Sequence, residues 1–175
     1  MGDREHQAAE RRAQDVLDQL GIRTAPVDVE LVAGHLGIPV IRESLEPGMS
    51  GVLVIGDGQA AIGVNRNHHP RRQRFTIAHE IAHYLLHTSD GDLFVDDMLT
   101  FYRDDQLSAG AYRKEREANA LAAALLMPQG LIEEHIRQRQ IDLYDDSAIA
   151  LLARHFDVSE QALTIRLMHL DLLEV

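Results

Sequence analysis

Five consecutive residues in the middle of the chain, His79-Glu80-Ile81-Ala82-His83, carry side chains that could bind a metal ion. Histidines four positions apart project from the same face of a helix, so their rings can converge on one ion. Glu80 lies beside that face, where it can accept a proton from a water molecule without binding the metal itself. The spacing therefore predicts a zinc hydrolase, most often a peptidase, if the segment is helical and a third ligand exists.

The residues around this motif predict that it lies on a buried helix. The segment from Phe75 to His87 is apolar almost all round, which is typical of a helix enclosed by the rest of the protein. Pro70 suits the first turn of such a helix. Buried polar side chains need partners, and a metal ion would satisfy several of them at once. The alternative, two solvated histidines on a surface helix, fits this apolar context less well.

A second helical segment, Glu115–Met127, offers two carboxylates as the third ligand. Glu117 shares one helical face with the apolar positions four, seven and eight residues later, whereas Glu115 lies about 200° away around the helix. A carboxylate at the end of a buried stripe points towards the core, so we predict Glu117 rather than Glu115 as the third ligand. The alternative is that Glu117 pairs with Arg113 or Arg116 on the surface.

Composition limits the kinds of site and partner. The 175 residues are 45% hydrophobic and include no cysteine, so any zinc must be bound by histidine and carboxylate. The charged N-terminus and the absence of a long apolar run predict a cytoplasmic protein that does not enter a membrane. A net charge of −11 counts against DNA binding and favours a basic protein partner. A local cluster of positive charge is formed by Arg71, Arg72 and Arg74. Such a cluster is usually a solvated face of a helix.

The rest of the chain predicts helices around a small sheet. The expected helices span about 5–20, 28–36, 128–139, 146–156 and 160–173, and the expected strands span 38–41, 51–55 and 60–64. The last two strands read as a hairpin. The predicted fold class is α+β: a mostly helical domain, residues 1–130, with a small antiparallel three-stranded sheet, and a C-terminal helical lobe, residues 131–175, packed on the same unit.

The last two predicted helices, joined by a tight turn at 157–159, resemble a helix-turn-helix. The second of them offers only Arg166 and His169 as base readers, which is fewer than DNA-reading helices normally carry. We therefore expect this lobe to pack on the domain or to bind a protein partner, and direct binding to nucleic acid is not expected.

Two further features bear on substrate binding. Residues 88–110 are acidic and predict a long loop near the metal helix, whose aspartates are candidate ligands by type but are usually solvated in such a loop. The strand near 60–64 could pair with an extended substrate. Four side chains could donate a hydrogen bond to the oxyanion of the reaction: Tyr84, His87, Tyr102 and Tyr112.

Several sequence blocks together resemble the ImmA/IrrE family of metallopeptidases. They are Pro26-Val27-Asp28, the stretch from Arg74 to His87, the stretch from Glu115 to Pro128, and the helical tail that includes Phe156–Leu167. The resemblance covers roughly residues 8–172. It implies a zincin-like domain in which His79, His83 and the Glu of the Glu-Ala-Asn segment, Glu117, bind zinc, and in which Glu80 is the general base.

The resemblance also implies a function. Family members are intracellular endopeptidases that typically cleave a helix-turn-helix (XRE-type) repressor and so relieve repression during stress; here the repressor would be a separate protein. Zinc suits two histidines and a carboxylate, although manganese or iron can occupy similar sites. The alternatives are a non-catalytic metal-binding regulator or toxin–antitoxin component that binds a repressor or DNA, and a hydrolase of small amides. Glu80 favours an enzyme, because a pure binder has no need of it.

Overall fold

The computed structural model describes residues 3–46, 48–56, 58–88, 94–96 and 109–174. Within these ranges the helices are α1 (Asp3–Leu20), α2 (Val29–His35), α3 (Pro70–His87), α4 (Ala109–Leu126), α5 (Gln129–Arg139), α6 (Asp146–Phe156) and α7 (Glu160–His169). The strands are β1 (Val40–Glu43), β2 (Gly51–Gly56), β3 (Gln59–Asn65) and β4 (Phe94–Asp96). The predicted class, a mostly helical α+β fold, is confirmed.

The sheet has the order β1-β3-β2-β4, and it differs from the prediction in two respects. The hairpin of β2 and β3 is antiparallel as expected, but β1 joins the other side of β3 in a parallel pair. A fourth strand, β4, pairs antiparallel with β2. Because β1 pairs with Ile62–Asn65 and β2 lies on the other side, this part of β3 has no free edge to bind a substrate strand, contrary to the expectation.

Side-chain caps begin four of the described helices, and one of them is His69, whose Nδ1 accepts a hydrogen bond from the N–H of Arg71 at the start of α3. Asp28 accepts hydrogen bonds from the backbone N–H groups of the first turn of α2. Ser159 caps α7 by accepting a hydrogen bond from the N–H of Ala162. Asp145 caps α6 by accepting a hydrogen bond from the N–H of Ser147. The caps define where the chain turns from one helix into the next.

Helix α3 runs through the core, in agreement with its apolar sequence. Every residue from Thr76 to His83 is buried. The buried apolar side chains form one cluster, which extends from Ala9 on α1 to Leu167 on α7. Among the described residues, no helix combines the length and the apolar character that a bilayer-crossing segment needs. The motif helix is thus supported on several sides by packed elements.

The three arginines near the start of α3 all bind side chains of other elements. Arg71 Nε lies 3.1 Å from Asp157 Oδ1, and Arg74 Nε lies 3.3 Å from Asp157 Oδ2. Arg72 donates a hydrogen bond of 2.8 Å to the hydroxyl of Ser50, which precedes β2. Arg71 and Arg74 are partly buried, and Arg72 is exposed although it is hydrogen-bonded. They attach the metal helix to the α6–α7 turn and to the sheet.

Arg166, one of the two predicted base readers, points into the protein. It is 3% exposed and donates hydrogen bonds of 2.5 and 2.9 Å to the carboxylate of Glu10 on α1. It also donates to the backbone carbonyl of Met127, at 3.0 Å. The other predicted reader, His169, lies with its ring centroid 4.8 Å from that of His6. Helix α7 thus uses these side chains for packing within the protein.

The Arg166 contacts predict a large effect on stability. Arg166→Ala is expected to lower the free energy of unfolding by about 3 kcal/mol, because it leaves the Glu10 carboxylate and a buried carbonyl without their donor. Urea denaturation measures the difference. Arg154→Ala is the matched control, since Arg154 is exposed on α6 and donates only to a carbonyl of its own helix. Equal stability of the two variants would show that the Arg166 contacts contribute nothing.

Candidate metal centre

His79 and His83 face each other from consecutive turns of α3. Their Nε2 atoms are 2.9 Å apart, and the two rings meet edge to face with centroids separated by 4.6 Å. Both side chains are nearly inaccessible, at 1% exposure. The convergence of the two rings on one point is the arrangement that the spacing predicted.

The third side chain at this point is Glu115 of α4. Its Oε2 lies 3.2 Å from His79 Nε2, and its Oε1 lies 3.1 Å from His83 Nε2. One ligand atom from each of the three residues falls within 4.8 Å of the others. Among the described residues, this is the one group of three or more histidine, cysteine, aspartate or glutamate side chains that could hold a metal ion.

The histidines also determine the charge state of Glu115. Burial alone would raise the pKa of this carboxyl, but hydrogen bonds with His79 and His83 outweigh burial and lower the pKa to about 2. Glu115 is therefore a carboxylate at neutral pH, with both oxygens directed at imidazole nitrogens. A carboxylate and two imidazoles are the ligand types of catalytic zinc sites, which keep a fourth position open.

The contacts among these three side chains fit a bound cation. Each imidazole carries at most one proton on its Nε2 atom, so the two rings bring at most two protons to a group with three short contacts between ligand atoms. Two protons cannot satisfy three contacts. A single cation placed between the ligand atoms would satisfy all of them, so the residues present fit a divalent metal.

Glu117, which the sequence analysis favoured as third ligand, lies elsewhere. Its Oε1 accepts a hydrogen bond of 2.7 Å from Arg113 Nε, and its Oε2 lies 3.9 Å from His87 Nε2. The pairing with Arg113 is the alternative that the sequence analysis left open. The structure therefore brings Glu115, and not Glu117, to His79 and His83.

Glu117 begins a stripe of large apolar side chains, which is why it was favoured, but α4 is buried on more than that face. A second stripe starts at Glu115 and continues through Ala118 and Ala122, both fully buried. Small side chains allow the close helix approach that short contacts between a carboxylate and two imidazoles require. The run of alanines was the available signal for this second face.

His87 continues the row of histidines by one more turn of α3. It is buried, and burial lowers the pKa of its imidazole. Its Nε2–H donates a hydrogen bond of 3.2 Å to the backbone carbonyl of Lys114, the residue before Glu115. His87, one of the four expected oxyanion donors, therefore contacts the helix that carries the third candidate ligand. Its role there is to hold α4 against α3.

Two of the other three expected oxyanion donors, Tyr84 and Tyr112, lie within the described residues. Tyr112 is 49% exposed, with the guanidinium of Arg116 5.8 Å from its ring centroid. Tyr84 packs at the margin of the hydrophobic core. Tyr102 and the aspartates of the acidic segment, apart from Asp96 of β4, lie outside the described residues.

The position of His87 leads to a prediction for metal affinity. His87→Ala is expected to weaken metal binding about 10-fold, because Glu115 then loses the contact that holds its backbone near α3. Competition with a chromophoric chelator measures the affinity. The control is His35→Ala, which removes an exposed histidine at the end of α2. An affinity of His87→Ala equal to that of this control would contradict the role.

Glu80 lies on the side of α3 that faces the sheet, apart from the three candidate ligands. Its side chain is 0% exposed. A Cβ atom built on Gly51 of β2 would lie 3.2 Å from Glu80 Oε1, so the carboxylate lies directly against the strand backbone. This agrees with a residue that acts beside the metal and does not bind it.

The comparisons with known proteins agree with this geometry. The model of the IrrE N-terminal-like domain, a peptidase family, matches residues 33–168. The radiation response metalloprotease IrrE of Deinococcus deserti is 42% identical over 96 residues, which cover 55% of this chain and 31% of the relative. IrrE of Deinococcus radiodurans is 39% identical over 75 residues, which cover 43% of this chain and 21% of the relative. The matched part of this chain therefore spans less than a third of these curated relatives.

A solved structure matches nearly the whole chain. It is a transcriptional regulator of Mycobacterium tuberculosis, similar with a TM-score of 0.60 and 27% sequence identity. The match covers 95% of this chain and 47% of the regulator. The same arrangement of elements thus occurs as one part of a longer protein.

Proposed function

We propose that this chain, which belongs to the peptidase family of the IrrE N-terminal-like domain, is a metal-dependent endopeptidase. The observation that carries the proposal is the group formed by His79, His83 and Glu115, with Glu80 on the same helix as the two histidines. The proposed ligands are the first three residues, and the proposed general base is Glu80. Zinc is the proposed metal, because two histidines and one carboxylate are its usual ligands in hydrolases; manganese and iron are alternatives.

Each side chain has a distinct task in the proposed reaction. A divalent ion at this site supplies Lewis-acid activation of a water molecule and of the peptide carbonyl. Glu80 accepts the proton of the attacking water and then donates it to the nitrogen of the leaving amine. Its enclosure between α3 and β2 keeps the carboxylate in one place throughout. Arg71, Arg72 and Arg74 hold α3 against the α6–α7 turn and the sheet, which keeps the base and the ligands in register.

The proposed substrate is a separate helix-turn-helix repressor of the XRE type in the cytoplasm, and its cleavage would relieve repression during stress. Three observations support this choice. The relatives are named as a radiation response metalloprotease and a transcriptional regulator. The net charge of −11 attracts a basic DNA-binding protein. Finally, Arg166, Arg71 and Arg74 form ion pairs within the protein. Direct binding to DNA would need cationic side chains of this kind, so their internal pairing favours a protein partner.

Intact-mass spectrometry of a mixture tests the proposal. The protein is stripped of metal, reloaded with zinc and incubated with purified XRE-type repressors encoded in the same genome. We expect two fragments whose masses sum to the mass of one repressor plus one water, and no fragments when a chelator is present. A helical protein of similar size and charge is the specificity control. The alternative is a non-catalytic regulator. It would be supported if the metal-free protein bound a repressor in a fixed molar ratio and no fragments formed.

A further inference from the structure

We propose that Gly51 is a positioning residue for Glu80: the absence of a side chain at this point of β2 lets the carboxylate lie against the strand. This inference rests on the proposed function, in which Glu80 is the base. Gly51 is the first residue of β2 and is buried, paired with Val64 on one side and with Asp96 on the other.

The space around Gly51 is already filled. A Cβ atom added there would overlap the Cγ2 methyl of Thr76, and it would lie 3.0 Å from the carbonyl oxygen of Gly63 and 3.2 Å from Glu80 Oε1. Gly51 is not one of the glycines that adopt a positive φ in this structure. The need for glycine at this position is therefore a need for space and not for an unusual backbone angle.

Thr76 and Glu80 occupy consecutive turns of α3, and both are fully buried. Residues four apart lie on the same helical face, so Thr76 and Glu80 meet β2 together. Any outward movement of Thr76 that made room for a methyl group on Gly51 would also displace the turn that carries Glu80. The distance between α3 and β2 thus determines where the carboxylate of the base lies.

The strand cannot easily move away from the helix either. Ser50, the residue before Gly51, accepts a hydrogen bond of 2.8 Å from Arg72 of α3. Its backbone carbonyl also accepts a hydrogen bond of 2.9 Å from the N–H of Asn65, at the end of β3. The start of β2 is therefore attached both to the metal helix and to the neighbouring strand. A methyl group on Gly51 would have to be accommodated by Thr76 and Glu80.

The same strand provides a matched control. Gly56 ends β2, and a Cβ atom there would meet nothing within 4 Å. A second substitution separates packing from positioning: Thr76→Ser removes the methyl that overlaps the added Cβ and keeps the hydroxyl. In the double variant Gly51→Ala/Thr76→Ser, the remaining close contact of the new methyl group is with the carboxylate of Glu80 and the Gly63 carbonyl.

The test compares wild type, Gly56→Ala, Gly51→Ala and the double variant, each with measured metal content. We expect kcat to fall on the order of 10-fold in Gly51→Ala, because small displacements of a catalytic group are costly, while KM and metal affinity stay unchanged. The double variant is expected to recover the Tm of wild type but not its kcat. If Gly51→Ala does not fold, kcat of the double variant is compared with that of wild type and Gly56→Ala instead. Full recovery of kcat in the double variant, or equal kcat in Gly51→Ala and Gly56→Ala, would overturn the inference.

A second readout does not depend on activity. The ¹³C chemical shift of the Glu80 carboxyl reports its surroundings in every variant. We expect this signal to move in Gly51→Ala and in the double variant and to remain in place in Gly56→Ala. If wild type cleaves no substrate but the signal moves in this pattern, the proposed function fails and the positioning of Glu80 by Gly51 stands. An unmoved signal in both Gly51 variants would overturn the positioning role whatever the activity.

Discussion

Replacing Glu80 by Gln is expected to reduce the rate of peptide cleavage by a factor of about 10² to 10⁴, the usual contribution of a general acid–base group. The amide has the same shape as the carboxylate but cannot accept the proton of the attacking water. Because Glu80 is fully buried and is not one of the three candidate ligands, metal affinity is expected to remain that of wild type. The measurement is kcat on one substrate with enzyme preparations of equal metal content.

The control for this experiment is Glu117→Gln. Glu117 is a second glutamate near the site, but it binds Arg113 and does not contact His79 or His83 at short range. Its replacement is expected to leave kcat close to that of wild type. If Glu80→Gln cleaved the substrate as fast as Glu117→Gln, Glu80 would not be the base, and the proposed mechanism would be wrong.

The second prediction compares the two glutamates of α4 as metal ligands. Glu115→Ala is expected to weaken metal binding on the order of 100-fold or more, since the loss of a residue that merely supports a ligand already costs 10- to 100-fold. Glu117→Ala is expected to leave the affinity nearly unchanged. The reason is that Glu115 contacts both histidines at 3.1 and 3.2 Å, whereas Glu117 forms an ion pair with Arg113.

Chelator competition at neutral pH measures both affinities. The two variants form a matched pair, because each removes one partly buried carboxylate from the same helix, and a comparison of their Tm values without metal separates folding from binding. A loss of affinity in Glu117→Ala, with wild-type affinity in Glu115→Ala, would restore the ligand set that the sequence alone favoured.

Local features of this fold were predictable from the sequence. The motif helix α3 has two histidines at helical spacing, a proline at its start and an apolar circumference, and all of these depend on residues close together in the chain. The hairpin of β2 and β3 was equally accessible, because its two strands are separated by a short Gly-containing turn. The caps of α2 and α7 are also local, because Asp28 and Ser159 each lie directly before the helix that they cap.

Features that depend on distant parts of the chain were not predictable. The choice between Glu115 and Glu117 depends on how α4 is rotated against α3, and both helical faces of α4 are partly apolar. The parallel pairing of β1 with β3 and the addition of β4 join strands that are distant in sequence. The alternation of apolar and polar residues within a strand does not show which strand it pairs with. In the same way, the ion-pair partners of Arg71, Arg74 and Arg166 could not be identified from the sequence, because Asp157 and Glu10 are far away in the chain.

Crystals grown with zinc, and diffraction data collected on both sides of the zinc absorption edge, would test the central claim most directly. We predict one strong anomalous peak about 2.0–2.2 Å from His79 Nε2, His83 Nε2 and a carboxylate oxygen of Glu115. Glu80 is expected near this peak but not bound to it. A peak coordinated by Glu117 in place of Glu115, or crystals with excess zinc and no peak at the two histidines, would contradict the account.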